Sequence, residues 1–437
     1  MIPTTKGFVV QSIQKRTRRS VKPDVETTPV TRMSAKQADE MTASGRKVDL
    51  KNLMQTVESS EGNQPAKVAL VGCGTFVQRT YLPLLETMRE KLQVVAAWSR
   101  TRENADVVAK AVEKYEGKVE VYSGEEGFHE LLRSDVEACV VALPVQVQLQ
   151  HVRAILRAGK HVLQEKPIDP EVDSVLLALE EYRELAGRKD GKLVWGIEEN
   201  YRFEEAFLYA ESVVKSGRLG DILKCVLNVD HLMNSNNVYF ASKWRKDKAT
   251  FPGGFLLDSS VHFMAALRKV VGGEITGKVS SVCLSSNRSD VPVPTTLCGL
   301  VMMGSSKEGG IVVPCSVSIT MASGIQKFQL SVTGTNGTVH VERNGPGYIV
   351  NVQEDRAGAS EVRHFAFTGV ERALSSFAQK VRYCRAADKC TVEDLGSLSP
   401  YQGALDLATI QSFMATDDVD RVGAVLKLLQ EHTRDLK

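Results

Sequence analysis

Past residue 66, short apolar runs alternate with amphipathic stretches. The runs at 67–71, 94–98, 119–122, 138–142, 161–163 and 193–197 read as strands, because each is brief, nearly continuous and bounded by polar or turn residues. Between them, 82–91, 103–115, 125–132, a segment bearing Val147, Val152, Ile155 and Leu156, and 170–186 read as helices. Buried strands alternating with helices predict a parallel sheet with right-handed crossovers. The rhythm then changes. Apolar runs at 224–229, 279–284, 297–302, 311–319, 328–333, 338–342 and 348–352 follow one another with few helices between. Glycine-rich turns at 305–310, 334–337 and 345–347 join several of them, which predicts a mainly antiparallel sheet. Helices return at 374–384 and 405–414.

A chain of 437 residues exceeds the usual single domain, in keeping with two such regions. Residues 1–65 lack sustained periodicity, and their first basic cluster (Lys15, Arg16, Arg18, Arg19, Lys22) precedes the first acid, Asp24. Two readings stand: a flexible tail of a cytoplasmic protein, or a transit segment for a plastid or mitochondrion. A net charge of +2, without a basic stripe interleaved with aromatics, gives no reason to expect nucleic acid as partner. No apolar run is long enough to span a bilayer, so no membrane partner is expected. The eight cysteines are scattered and form no Cys-x-x-Cys, so they read as reduced thiols without zinc or a disulfide framework. The acidic run at 417–420 reads as a solvated helix cap.

Three constellations carry chemistry. The first strand runs into Gly72-Cys73-Gly74-Thr75-Phe76-Val77. Glycines at the end of an apolar strand permit a tight turn and the approach of a dinucleotide pyrophosphate, which makes 66–195 a candidate Rossmann domain. Val77 stands where a third glycine normally permits close helix–strand packing. At the end of the second strand, where a carboxylate would read the ribose of NAD, the chain has Trp98-Ser99-Arg100-Thr101-Arg102. A hydroxyl followed by guanidinium groups suits a 2′-phosphate, so NADP is expected over NAD. Third, Glu165-Lys166-Pro167 closes a strand, and Asp258 and His262 are four apart on a run that reads as helix. That spacing stacks the carboxylate and the imidazole on one face, about 6 Å apart along the axis. Interconverting an alcohol and a carbonyl moves a proton as well as a hydride. Histidine suits that transfer, a carboxylate can orient it or the substrate, and a lysine beside the nicotinamide can share the role. His129, His231, His340, His364 and His432 form no cluster with metal spacing, so no metal is expected.

With these motifs in order, the chain resembles the Gfo/Idh/MocA family (glucose–fructose oxidoreductase, inositol dehydrogenase, rhizopine catabolism). The likeness is carried by Gly72-x-Gly74, the segment 158–167 ending in Glu165-Lys166-Pro167, Glu199-Asn200-Tyr201-Arg202-Phe203, Trp244-Arg245, and Gly254-Phe255-Leu256-Leu257-Asp258 with His262. Phe76-Val77, Trp98-Ser99-Arg100 and 199–203 look most like a eukaryotic, plant-type branch. The resemblance implies a second, α+β domain at 196–437 with a largely antiparallel open sheet, and homodimers or homotetramers formed through that sheet. It also implies a catalytic group of Lys166, Asp258 and His262. Leu143, Pro144, Glu165 and Lys166 would border the cofactor, Trp244 and Arg245 would approach it from the second domain, and Asn200 and Tyr201 would line the substrate pocket. The expected activity is an NADP-dependent oxidoreductase acting on a sugar, polyol or cyclic diol. The competing reading is a non-catalytic NADP-binding sensor or scaffold on the same fold.

Overall fold

The computed structural model describes residues 64–435 apart from 189–191, 278, 287, 305–311, 355–359, 388–392 and 416–419. The expected tail up to residue 63, the turn at 305–310 and most of the acidic run at 417–420 therefore lie outside the described residues.

The first layer is a six-stranded sheet of β1 (Ala66–Val71), β2 (Leu92–Ser99), β3 (Glu120–Ser123), β4 (Ala138–Val141), β5 (His161–Glu165) and β6 (Trp195–Glu198). All pairings are parallel and the order is β3-β2-β1-β4-β5-β6. Helices α1 (Leu82–Thr87), α2 (Arg102–Val112), α3 (Gly124–Arg133), α4 (Val145–Arg157) and α5 (Val172–Arg188) connect the strands. Covered on both faces, the central strands are apolar throughout rather than alternating. The strand order reverses between β1 and β4, which opens a crevice at their carboxyl ends. Val77 is buried, and the chain there winds as a π-helical turn over Val77–Tyr81 before α1 becomes regular. Strand β6 belongs wholly to this sheet, so the expected boundary at 195/196 falls on its first residue.

The second layer follows α6 (Glu205–Lys215). Its nine strands are β7 (Ile222–Leu232), β8 (Glu274–Ile275), β9 (Ser280–Leu284), β10 (Thr296–Gly304), β11 (Val312–Thr320), β12 (Ala322–Gly334), β13 (Gly337–Asn344), β14 (Gly347–Glu354) and β15 (Ser360–Ala366). Every pairing is antiparallel except β7 with β11. Residues alternate between a buried face and an outer face, as in β11 with Val313, Cys315, Val317 and Ile319 inward. Helix α7 (Gly254–Val271) packs on the inner face beside α6. The outer face carries Val282, Leu284, Leu300, Met302 and Val312, all exposed.

The chain then returns to the first layer. Helix α8 (Gly369–Ala386) buries Val370, Leu374, Phe377 and Val381 in one core with Val68 and Leu70 of β1. Helix α9 (Pro400–Ala415) packs against β6, α5 and α7, and α10 (Asp420–Asp435) packs on α9 and α5. Gly403 permits the close approach of α9 to β6, since a Cβ there would lie 2.8 Å from Ile197.

Cysteines 73, 139, 225, 283, 298 and 315 are free, and Cys384 is disulfide-bonded. This corrects the expectation of uniformly reduced cysteines: it rested on motif spacing, whereas bonding depends on what the end of α8 meets in space. Cys390 is outside the described residues. Among the described residues no helix is long and apolar enough to cross a membrane.

Candidate active site

The first wall is the turn after β1. Gly72 adopts φ +99°, and a Cβ there would collide with the carbonyl oxygen of Ala142, so only glycine serves. Its N–H is held by Trp98 O at 2.8 Å. At Gly74 a Cβ would meet nothing within 4 Å, and both Gly74 and Thr75 are exposed. The turn is thus locked on its protein side and bare on the other, beside the switch between β1 and β4. This fits a dinucleotide pyrophosphate lying against the backbone. Ser99 ends β2 and is buried, while Arg100 beside it is exposed with no ion-pair partner among the described residues.

A cavity of about 420 Å³ opens from this turn. From the first layer it is lined by Gly74, Thr75, Phe76, Leu143, Pro144, Glu165 and Lys166. Trp244, Arg245, Asp258 and His262 line it from the second region. Most of the expected site residues therefore meet in one space. Gly72, Ser99 and Arg100 do not line it, and neither do Asn200 and Tyr201. Asn200 is buried and its side-chain nitrogen is directed 3.5 Å from Glu204 Oε1. The Tyr201 ring stacks on His262 with centroids 4.8 Å apart and an interplanar angle of 17°.

Asp258 is the hub. Lys166 Nζ donates to its carbonyl oxygen at 2.9 Å and to Oδ1 at 3.3 Å, and Arg245 Nε donates to Oδ2 at 2.8 Å. Burial alone would raise its pKa, but Arg245 and then Lys166 overcome that and hold the carboxyl at about 2. Arg245 is itself fixed by Ser242 Oγ at 2.9 Å and by the Trp244 ring 4.0 Å from its guanidinium carbon. Gly254 allows this loop to meet the start of α7, because a Cβ there would lie 2.9 Å from Arg245 O and would also strike Val293.

His262 is paired with Glu199, whose Oε1 lies 2.7 Å from Nδ1. Burial opposes the charge on Glu199, but His262, Lys166 and Arg202 together bring its pKa below the usual value. An ionised Glu199 places the proton on Nδ1 and leaves Nε2 as the acceptor. The same carboxylate accepts from Tyr201 N at 3.1 Å, which fixes the short 3-10 turn after β6. Farther back, Arg202 of that turn and Arg268 of α7 both bond to Asp406 of α9, so one buried carboxylate ties together the two elements that present Glu199 and His262.

Beneath Lys166 lies a second group of carboxyls. Glu165 accepts a short hydrogen bond from Tyr81 and is register partner to Glu198 on β6. Burial pushes Glu165 up to about 7, and burial and then the neighbouring Glu165 raise Glu198 well above its usual value. Gln148 pins the loops: its Nε2 donates to Glu165 O at 2.6 Å and Pro167 O at 3.2 Å, while its Oε1 accepts from Leu143 N at 3.1 Å.

A profile of an oxidoreductase family with an NAD-binding Rossmann fold matches residues 66–188, and the GFO/IDH/MocA C-terminal domain matches 207–340. The chain belongs to the Gfo/Idh/MocA family. As in that family, an NAD(P)-binding Rossmann sheet precedes a mixed, mostly antiparallel one. The chain is 28% identical over 364 residues to the dehydrogenase FPY6 of Fusarium mangiferae, covering 81% of this chain and 97% of that one. It is 26% identical over 330 residues to a dTDP-3,4-didehydro-2,6-dideoxy-alpha-D-glucose 3-reductase of Streptomyces violaceoruber, covering 72% of this chain and 85% of that one. A solved oxidoreductase from Thermotoga maritima aligns with a TM-score of 0.65 at 26% identity, over 84% of this chain and all of that one. As a Gfo/Idh/MocA protein, this chain is an NAD(P)-dependent oxidoreductase.

Sequence reasoning missed Glu199 as the partner of His262, as well as Gln148 and His231, the last of which lines the cavity from β7. Glu199 had one legible signal, since two consecutive acids at the end of an apolar strand are costly to bury without a purpose.

Proposed function

We propose that the protein interconverts a secondary hydroxyl and a carbonyl on a sugar, polyol or cyclic diol, with a preference for NADP. The observation that carries this reading is that His262, held from behind by Glu199, lines one cavity with the Lys166–Asp258 pair next to the Gly72 turn.

A nicotinamide dinucleotide, when bound, supplies the hydride acceptor for oxidation or the donor for reduction. In the oxidation direction His262 Nε2 takes the proton of the reacting hydroxyl, and ionised Glu199 stabilises the resulting imidazolium while keeping the ring oriented. Tyr201 restrains the ring from its flat face. Lys166, anchored on Asp258, polarises the same oxygen, and Asp258 offsets the charges of Lys166 and Arg245. Reduction runs these steps in reverse. The relative acting on a dTDP-linked keto sugar supports a carbonyl on a sugar ring as the reacting group.

The exposed Arg100, which stands next to Ser99 and has no ion-pair partner among the described residues, supports the NADP preference. The apolar outer face of the second sheet, with Val282 57% and Leu300 63% exposed, supports assembly into homodimers or homotetramers. The test is a fluorescence titration with NADPH and NADH followed by turnover on sugars, polyols and dicarbonyls. NADPH-selective binding with turnover is expected. Binding without turnover on the whole panel would replace catalysis with the sensor reading.

A further inference from the structure

Arg202 closes the short 3-10 turn that follows Glu199, and its N–H donates to Glu199 O at 3.1 Å. Residues three apart in such a turn fall on one face, which sets a buried guanidinium over a buried carboxylate. Within that carboxylate Oε1 serves both His262 Nδ1 and Tyr201 N, while Oε2 has no hydrogen-bond partner among the described residues. Arg202 Nε has none either, which leaves charge as the link between the two side chains. A desolvated carboxylate with a bare oxygen is costly to ionise, and nearby positive charge offsets that cost. Burial raises the Glu199 pKa; His262, Lys166 and Arg202, in that order, pull it down. Lys166 lines the cavity and meets whatever binds there, whereas Arg202 lies outside it and keeps a constant charge.

The other groups facing the pair are mostly acids. Asp258 belongs to α7 and Asp406 to α9, and burial raises Glu165 and Glu198, at the ends of β5 and β6, toward their neutral forms. Toward α8, Glu204 accepts from the N–H groups of Thr368 and Gly369, and Arg372 pairs with Glu205. Arg343 of β13 stands over the Tyr348 ring.

Asp406 fixes the guanidinium in place. Its Oδ1 accepts from Arg202 Nη2 and from Arg268 Nη1, and Gln402 O accepts from the same two nitrogens at 3.1 Å each. The other edge of Arg268 forks onto Glu274, with both contacts at 2.6 Å. Burial raises the Asp406 pKa and the two guanidiniums oppose it, so the carboxylate stays charged at neutral pH. A positive charge therefore stands next to Glu199, and a negative one stands behind that.

We propose that Arg202 is a positioning residue whose charge, held in place and partly offset by Asp406, keeps the Glu199–His262 pair in its singly protonated form, with Nε2 free to accept a proton. The proposal rests on the proton-transfer role of His262 and adds the buried charges that set when the ring can perform it. A second proton on the pair removes its negative charge. Arg202 disfavours that proton and Asp406 favours it.

The experiment compares wild type, Arg202→Met, Arg202→Lys and Asp406→Asn in the full chain. The rate of oxidation, as kcat/KM at saturating NADP⁺, is followed against pH with myo-inositol and D-glucose as probes. In Arg202→Met the acid inflection should move up by about one pH unit, and in Asp406→Asn down by about half a unit. Arg202→Lys, which keeps the charge with altered hydrogen bonds, should leave it close to wild type. The His262 imidazole NMR signal, identified by its loss in His262→Ala, should titrate with the same opposite displacements. A structural effect alone would not change sign between the two partners of one ion pair. Inflections that stay in place, or that move the same way in Arg202→Met and Asp406→Asn, overturn the proposal. If Arg202→Met does not fold, the isosteric Asp406→Asn decides, and an inflection that is unchanged or raised overturns it. Opposite NMR displacements without turnover of either probe would uphold the charge coupling and count against the oxidoreductase reading instead.

Discussion

Glu199 Oε1 and His262 Nδ1 lie 2.7 Å apart, joining the end of the first sheet to the helix that covers the second. The contact sets the tautomer of the imidazole, so a proton acceptor at Nε2 follows from a carboxylate that never lines the cavity.

Replacing Glu199 with Gln keeps the volume and removes the charge. Turnover is expected to fall roughly 100-fold, because the imidazolium loses its counter-charge and the ring its fixed tautomer. Dinucleotide affinity, measured by fluorescence, stays at the wild-type value. Turnover close to wild type would remove Glu199 from the mechanism.

Arg100 stands exposed at the end of β2. Its replacement by Ala is expected to weaken NADPH binding by about tenfold or more, the worth of one charge-assisted hydrogen bond, and to leave NADH binding unchanged. Equal loss for both nucleotides would mean that Arg100 contacts a part they share.

Glu165 makes stability depend on pH in a specific direction. Its folded-state pKa of about 7 lies above the ordinary 4.5, so between those values the folded chain holds a proton that the unfolded chain has released. The contribution is fully present below about 4.5 and is lost as pH rises through 7. Glu165→Gln still accepts from Tyr81 but cannot ionise. Relative to wild type its Tm should rise by several degrees between pH 5 and pH 8. A Tm difference that stays constant across that range would contradict the assignment.

Leu300 and Met302 lie on the outer face of β10, with Val282 and Leu284 on the adjoining β9. A Leu300→Glu, Met302→Glu double variant should run as a monomer in light scattering while keeping NADPH affinity. An unchanged mass would place the subunit contact elsewhere.

The layer organisation is legible in the sequence because buried parallel strands are continuous apolar runs, whatever their tertiary partners. Strand β15 is not, since Ser360–Ala366 is an edge strand with mostly exposed polar residues and no apolar run to betray it. Helices α6 and α10 also escape the periodicity reading. In the site, Lys166, Asp258 and His262 are legible because a strand end and an i, i+4 spacing are local facts. Gln148 is not, since its role lies in carbonyls reached only after the chain has folded. Asn200 and Tyr201 show the limit of motif reasoning. Tyr201 stands behind the imidazole, and Asn200 is turned to Glu204.

Helix α8 has a consequence for how the protein is made. Val68 and Leu70 share their core with Leu374 and Phe377, which lie some three hundred residues downstream on the ribosome. A nascent chain that has finished all six parallel strands still exposes part of an apolar face, and it keeps exposing it until the whole antiparallel sheet has been synthesised. The nucleotide-binding unit is thus completed only after the second sheet has been made, and a product halted before residue 369 would be prone to aggregate rather than persist as a working half-enzyme.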